Sequence, residues 1–150
     1  KEVKVDGQEF LIMKEEKIKH LEFIQNIITR HNTNSFQIKG LTVTIVSALL
    51  AVYASNNNLE FIWIGIIPTI LFWFLDSYYL QLERKFRGLY NDVAGVSKEP
   101  QEIKDMEMRP DLYKGGKYKF INVLFSNTMC PLYLFISIGL TAVYFYLKCN

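Results

Sequence analysis

Asp76 interrupts the apolar run 61–82, and no other carboxylate falls inside a run of that kind in the chain. An ionisable group at bilayer depth is costly and is usually paired, buried or functional. Lys39 stands at the start of another apolar run and should lie at a similar depth, so a Lys39–Asp76 ion pair is one reading. The other is that Asp76 reaches the wet interface, about two helical turns from Arg84.

The remaining reactive side chains do not add up to a catalyst. His20 and His31 lie outside the apolar runs, with neither metal-ligand spacing nor triad partners. Cys130 and Cys149 would be separated by about 28 Å along a helix, too far for a disulfide. They read as free, buried thiols. There is no CxxC and no phosphate-cradling glycine loop, and Gly115-Gly116 reads as a flexible turn. The expectation is a chain that is not an enzyme, with no catalytic residue, metal site or cofactor.

What must position Asp76 is a set of long apolar segments. Residues 40–59, 61–75 and 120–147 carry no charged side chain, and almost every charge lies in 1–39 or 83–119. Overall composition, 50% hydrophobic and 21% charged, hides this segregation. A bilayer core about 30 Å thick takes roughly 20 helical residues to cross. Inside lipid only helices and closed barrels satisfy their own backbone, and Phe61-Ile-Trp-Ile-Gly-Ile-Ile lacks the alternation of a barrel strand. The fold class expected is an all-α helical membrane protein, a single membrane domain over 1–150. It comprises a cytoplasmic amphipathic helix at 8–31, transmembrane helices at 36–55, 61–82 and 129–147, and a cytoplasmic link at 94–119. No basic stretch followed by a short apolar run and a small-residue cleavage site argues for a secretory signal peptide.

Lysine and arginine set the orientation. Lys1, Lys4, Lys14, Lys17, Lys19, Arg30 and Lys39 precede the first span. Arg84, Lys85, Arg87 and six more follow the second, whereas Asn56–Asn58 have none beside them and the C-terminus has only Lys148. Positive charge stays cytoplasmic, which puts the N-terminus inside and the C-terminus outside. Arg84, Lys85 and Arg87 open the cytoplasmic link and are the candidate partner-facing residues. Acidic residues interleave with the link's basic ones, so direct nucleic-acid binding is not expected.

Within the segments, Met13, Ile18, Leu21, Ile24, Ile27 and Ile28 recur at spacings of three and four. That face could lie in the headgroups or pack on cytoplasmic helices. Asn32, Thr33, Asn34 and Ser35 are all good N-caps and predict a turn before the first span. Gly40, Thr44, Ser47 and Ala51 share one face of that span: either a helix-packing seam or a pore lining whose hydroxyls replace part of an ion's hydration. Pro68 predicts a kink in the second span. Pro131 divides the third run, leaving 120–125 at the interface. Trp63, Tyr78, Tyr79, Tyr144 and Tyr146 suit interfacial belts.

Lys17-Ile-Lys-His-Leu-Glu-Phe-Ile-Gln-Asn-Ile-Ile-Thr-Arg30 and Asn34-Ser-Phe-Gln-Ile-Lys-Gly40 resemble a family of small multi-pass bacterial membrane effectors of anti-phage defence. So does Trp73-Phe-Leu-Asp-Ser-Tyr-Tyr-Leu-Gln-Leu-Glu-Arg-Lys-Phe-Arg-Gly-Leu-Tyr-Asn-Asp92. The chain is similar there to the membrane component of Hailong-type systems. The resemblance covers most of 14–92 and fades after Val96. It implies a homo-oligomeric channel in the bacterial inner membrane, held silent by a nucleotidyltransferase-like partner and released on infection to disrupt the membrane. A non-conducting membrane anchor or scaffold for a cytoplasmic partner is the alternative.

Overall fold

The structure, a computed structural model, describes the backbone of residues 7–149 and the side chains of residues 14–149. Lys1 and Lys4, counted toward orientation, and the Met13 side chain lie outside the described residues. Among the described residues the chain is all-helical: α1 (Gly7–Asn56), α2 (Glu60–Ile64), α3 (Ile66–Ala94), α4 (Phe120–Leu124) and α5 (Cys130–Cys149), with single 3₁₀ turns at Pro110–Leu112 and Gly116–Tyr118. Three helical stretches are long and apolar enough to cross a membrane: Lys14–Asn56, Glu60–Ala94 and Cys130–Cys149.

The turn expected at Asn32–Ser35 is absent, and α1 runs through it as one helix of 50 residues. At 1.5 Å per residue that is about 75 Å, enough to cross a bilayer and project well beyond it. Local cap preference loses here because this part of α1 packs on α3, Ser35 and Lys39 meeting Asp76, and tertiary packing overrides modest propensity costs. Ser35 does not cap a helix. Its hydroxyl donates to Asp76 instead.

The face of α1 turned to the rest of the chain is His20, Ile24, Ile28, Ser35, Ile38, Thr42 and Val46, all buried. In the charged half, Ile24 and Ile28 pack with Leu89 and Tyr113, while Ile18 stays exposed. In the apolar half, Val46 packs with Ile62 and Leu140.

The second span, where Pro68 predicts a kink, is interrupted at Gly65, between α2 and α3, with the backbone there still in the right-handed helical region. A proline at 68 cannot donate to the Ile64 carbonyl four residues back, so the ladder opens there. The Thr69 hydroxyl donates to the Gly65 carbonyl at 2.8 Å and satisfies that end of the break. The helices come close here: a Cβ at Gly65 would stand 3.3 Å from the Ile62 carbonyl oxygen and in ordinary contact with Leu140 at 3.4 Å and Leu49 at 3.6 Å, from α5 and α1.

Much of the link expected at 94–119 packs back on α3, and residues 97–119 form a layer against it. Tyr113 is buried, with Ile103, Met108, Leu112 and Tyr118 packed around the same cluster on α3. Gly88 makes room for it, since a Cβ there would meet the Tyr113 ring at 2.5 Å and the Tyr118 hydroxyl at 2.8 Å. Gly95 ends α3 in the left-handed region (φ 78°), its N–H returned to the last turn. Cys130 and Cys149 are free; neither is buried, and Cys149 is exposed.

Candidate functional site

Asp76 lies where the apolar half of the bundle meets the charged half, and it is 0% exposed. Two other helices deliver its partners to α3. From α1, Lys39 Nζ approaches Asp76 Oδ2 at 2.6 Å and donates to Ser35 Oγ at 2.8 Å. The Ser35 hydroxyl donates to Asp76 Oδ1. From α5, the Tyr133 hydroxyl donates to Oδ2 at 2.9 Å. Ser35 and Lys39 are one helical turn apart and so share a face. Of the two readings of Asp76, the structure takes the paired one.

The chemistry available here is that of a lock. Both carboxylate oxygens accept from neutral or cationic donors of the fold. Charge-assisted bonds of this kind are roughly twice as strong as neutral ones. A buried carboxylate repays its desolvation only when its partners are this complete. Trp73 buttresses the site: its ring stacks on Tyr133 with centroids 6.2 Å apart, and its Nε1 donates to the Leu124 carbonyl at 3.1 Å, fixing α4.

A second node sits lower on α3. Asp92 accepts from the Tyr113 hydroxyl at 2.5 Å, from the Ser97 hydroxyl and from the Gln101 backbone N–H at 3.1 Å. Burial first, and the bond to Asp92 second, push the Tyr113 phenol well above its ordinary range. His20 Nε2 lies 3.2 Å from the Glu107 carbonyl and ties the layer to α1. The Glu107 carboxyl is held below the usual range by the Lys104 backbone N–H and, after it, by Arg109. His31 takes no part in either node; its ring lies 5.8 Å from Phe86 and 5.9 Å from Tyr79.

The other candidates are dispersed. Gly40, Thr44, Ser47 and Ala51 are all exposed, on the side of α1 turned away from α3. They form no seam within the chain. Arg84 donates to the Lys117 carbonyl at 3.2 Å, and Arg87 pairs with Glu83 at 2.7 Å. Arg84 and Arg87 share a cavity with Lys39, which Lys85 does not line. Among the described residues no three His, Cys, Asp or Glu side chains converge as a metal group would require.

Sequence reasoning missed Ser35, Tyr133 and the Asp92 node. Ser35 carried a signal, being one turn from Lys39. Tyr133, 57 positions from Asp76, carried none. No family model matches the chain, and neither the curated proteins nor the solved structures include a match.

Proposed function

We propose that this chain is a homo-oligomeric, ion-conducting membrane effector and not an enzyme, the role that its resemblance to anti-phage membrane effectors also implies. The observation that supports it most is the outward face of α1. Gly40 has open space where a Cβ would be, so the chain's own fold does not call for glycine there. In a helix interior glycine costs about 1 kcal/mol relative to alanine. Small residues on a membrane helix serve close approach by another helix or room for a hydrated path, and three helices of one copy are too few to enclose one.

In this reading the N-terminus and the 97–119 layer are cytoplasmic in the bacterial inner membrane, the C-terminus is outside, and a nucleotidyltransferase-like protein on the layer keeps the assembly silent. The anchor reading draws on the same layer, which is folded well enough to serve as a docking platform without conduction.

Planar-bilayer current together with particle mass decides between them. The effector reading expects an oligomer that conducts once freed of its partner. It also expects Ser47→Leu and Thr44→Val to lower conductance while the oligomer survives. Loss of the oligomer in Ser47→Leu makes the row a seam, and an oligomer that never conducts leaves the anchor. With Cys130 and Cys149 replaced by serine, an impermeant thiol reagent should label Asn57→Cys, and not Gly115→Cys, from outside intact cells; the reverse overturns the orientation.

A further inference from the structure

Beside the Asp76 lock, α1, α3 and the turn before α5 enclose an open cavity of about 520 Å³. Its polar wall is Lys39 from α1 and Glu83, Arg84 and Arg87 from α3, with Asn32 and Ser35 between them. The charges do not cancel. Lys39 is matched by Asp76 and Arg87 by Glu83. Arg84 spends one N–H on a backbone carbonyl and meets no carboxylate among the described residues, which leaves one positive charge in surplus. Of the two carboxylates, Asp76 is fully buried and outside the lining, and Glu83, 8% exposed, is engaged by Arg87.

The cavity's depth is as telling as its charge. The three apolar runs of the sequence begin or end at this level, at Lys39, at Glu83 and just beyond Lys119. Apart from Thr128, its remaining wall is apolar, from Leu80, Met129 and Phe36, and Phe36 is 76% exposed. A cationic floor at the end of the apolar runs, opening past an exposed aromatic ring, matches a phosphate and its acyl chain together. A free anion would leave the apolar side unused.

We propose that this cavity seats the headgroup of an anionic phospholipid, one per subunit. The phosphate lies against Arg84, Arg87 and Lys39, and an acyl chain runs along Phe36. Basic pockets between membrane helices hold anionic headgroups by this combination, and guanidinium groups suit phosphate oxygens geometrically. The site rests on the membrane location and not on conduction, so failure of one leaves the other standing.

The test is lipid retention by the intact purified protein, read by native mass spectrometry with phosphatidylglycerol, phosphatidylcholine or inorganic phosphate added. One phosphatidylglycerol per subunit should be retained about tenfold better than phosphatidylcholine, the scale of one charge-assisted bond. Arg84→Gln should erase that preference, and Lys85→Gln should keep it. Asn32→Asp adds a carboxylate to the wall without removing a bond of the fold, so it should erase the preference even if Arg84→Gln loses helicity. Equal retention of the two lipids overturns the proposal, as does an unchanged preference in Asn32→Asp. Displacement of phosphatidylglycerol by millimolar inorganic phosphate overturns the lipid assignment in favour of a small-anion site.

Discussion

Asp76 and Asp92 stand on the same helix, and each gathers a serine and a tyrosine: Ser35 and Tyr133 come from other helices, Ser97 and Tyr113 from the segment that follows α3. Asp76 adds Lys39; Asp92 adds a backbone N–H and, among the described residues, pairs with no cation. The difference follows from what surrounds them. Asp76 is fully buried among helices of the apolar half, where an unmatched carboxylate would be driven to take up a proton. Asp92 is only half-buried, so neighbouring water shares the work and hydrogen bonds suffice. One node therefore holds together three helices that must stay associated in an apolar medium. The other fastens a surface layer.

If this contrast is right, Asp76→Ala should be the most damaging single change. It strands Lys39, leaves the Ser35 and Tyr133 hydroxyls without their acceptor, and should cost about 3–5 kcal/mol. The check is thermal unfolding followed by helicity in detergent. Lys39→Leu combined with Asp76→Leu should recover part of the loss, because no lone charge then remains. A melting profile for Asp76→Ala equal to the parent's would remove the distinction between the nodes.

The two nodes were unequally legible in the sequence. Asp76 stands out because hydrophobicity is a property of each residue alone, and one carboxylate in an apolar run is visible without a fold. Lys39 follows from depth along a helix. Tyr133 depends on how α5 packs, which no local pattern records. Asp92 looks like any charge near a helix end, and its partners come from a segment that packs irregularly through Tyr113 and Tyr118. With no helical or strand period, those residues read as a loop. The Asn32–Ser35 turn was misread for the opposite reason: four residues with a strong local preference lay on a helix held straight by its neighbour.

Gly88→Ala sharpens the contrast from the side of the layer. A methyl group at 2.5 Å from the Tyr113 ring must displace it, and overpacking of this kind costs roughly 1–3 kcal/mol. The loss should be local. Hydrogen exchange should rise across 97–119 while the Asp76 region keeps its protection, and a uniform rise over all helices would show that the two nodes are one cooperative unit.

Tyr113→Phe should have the smallest effect, about 1 kcal/mol for one hydrogen bond whose acceptor keeps Ser97 and Gln101. Its value lies in the pH dependence. The folded-state phenol titrates above its ordinary value of about 10, so the folded chain holds that proton more tightly than the unfolded one. The contribution is therefore complete below about pH 10 and declines as pH rises from there toward the folded value. The quantity to read is the difference between parent and variant, which isolates this one hydroxyl. Protease resistance of the 97–119 layer should fall more steeply in the parent than in Tyr113→Phe above about pH 10. Parallel curves would mean that the hydroxyl is solvated in the folded chain, leaving the layer fastened by its aromatic packing alone.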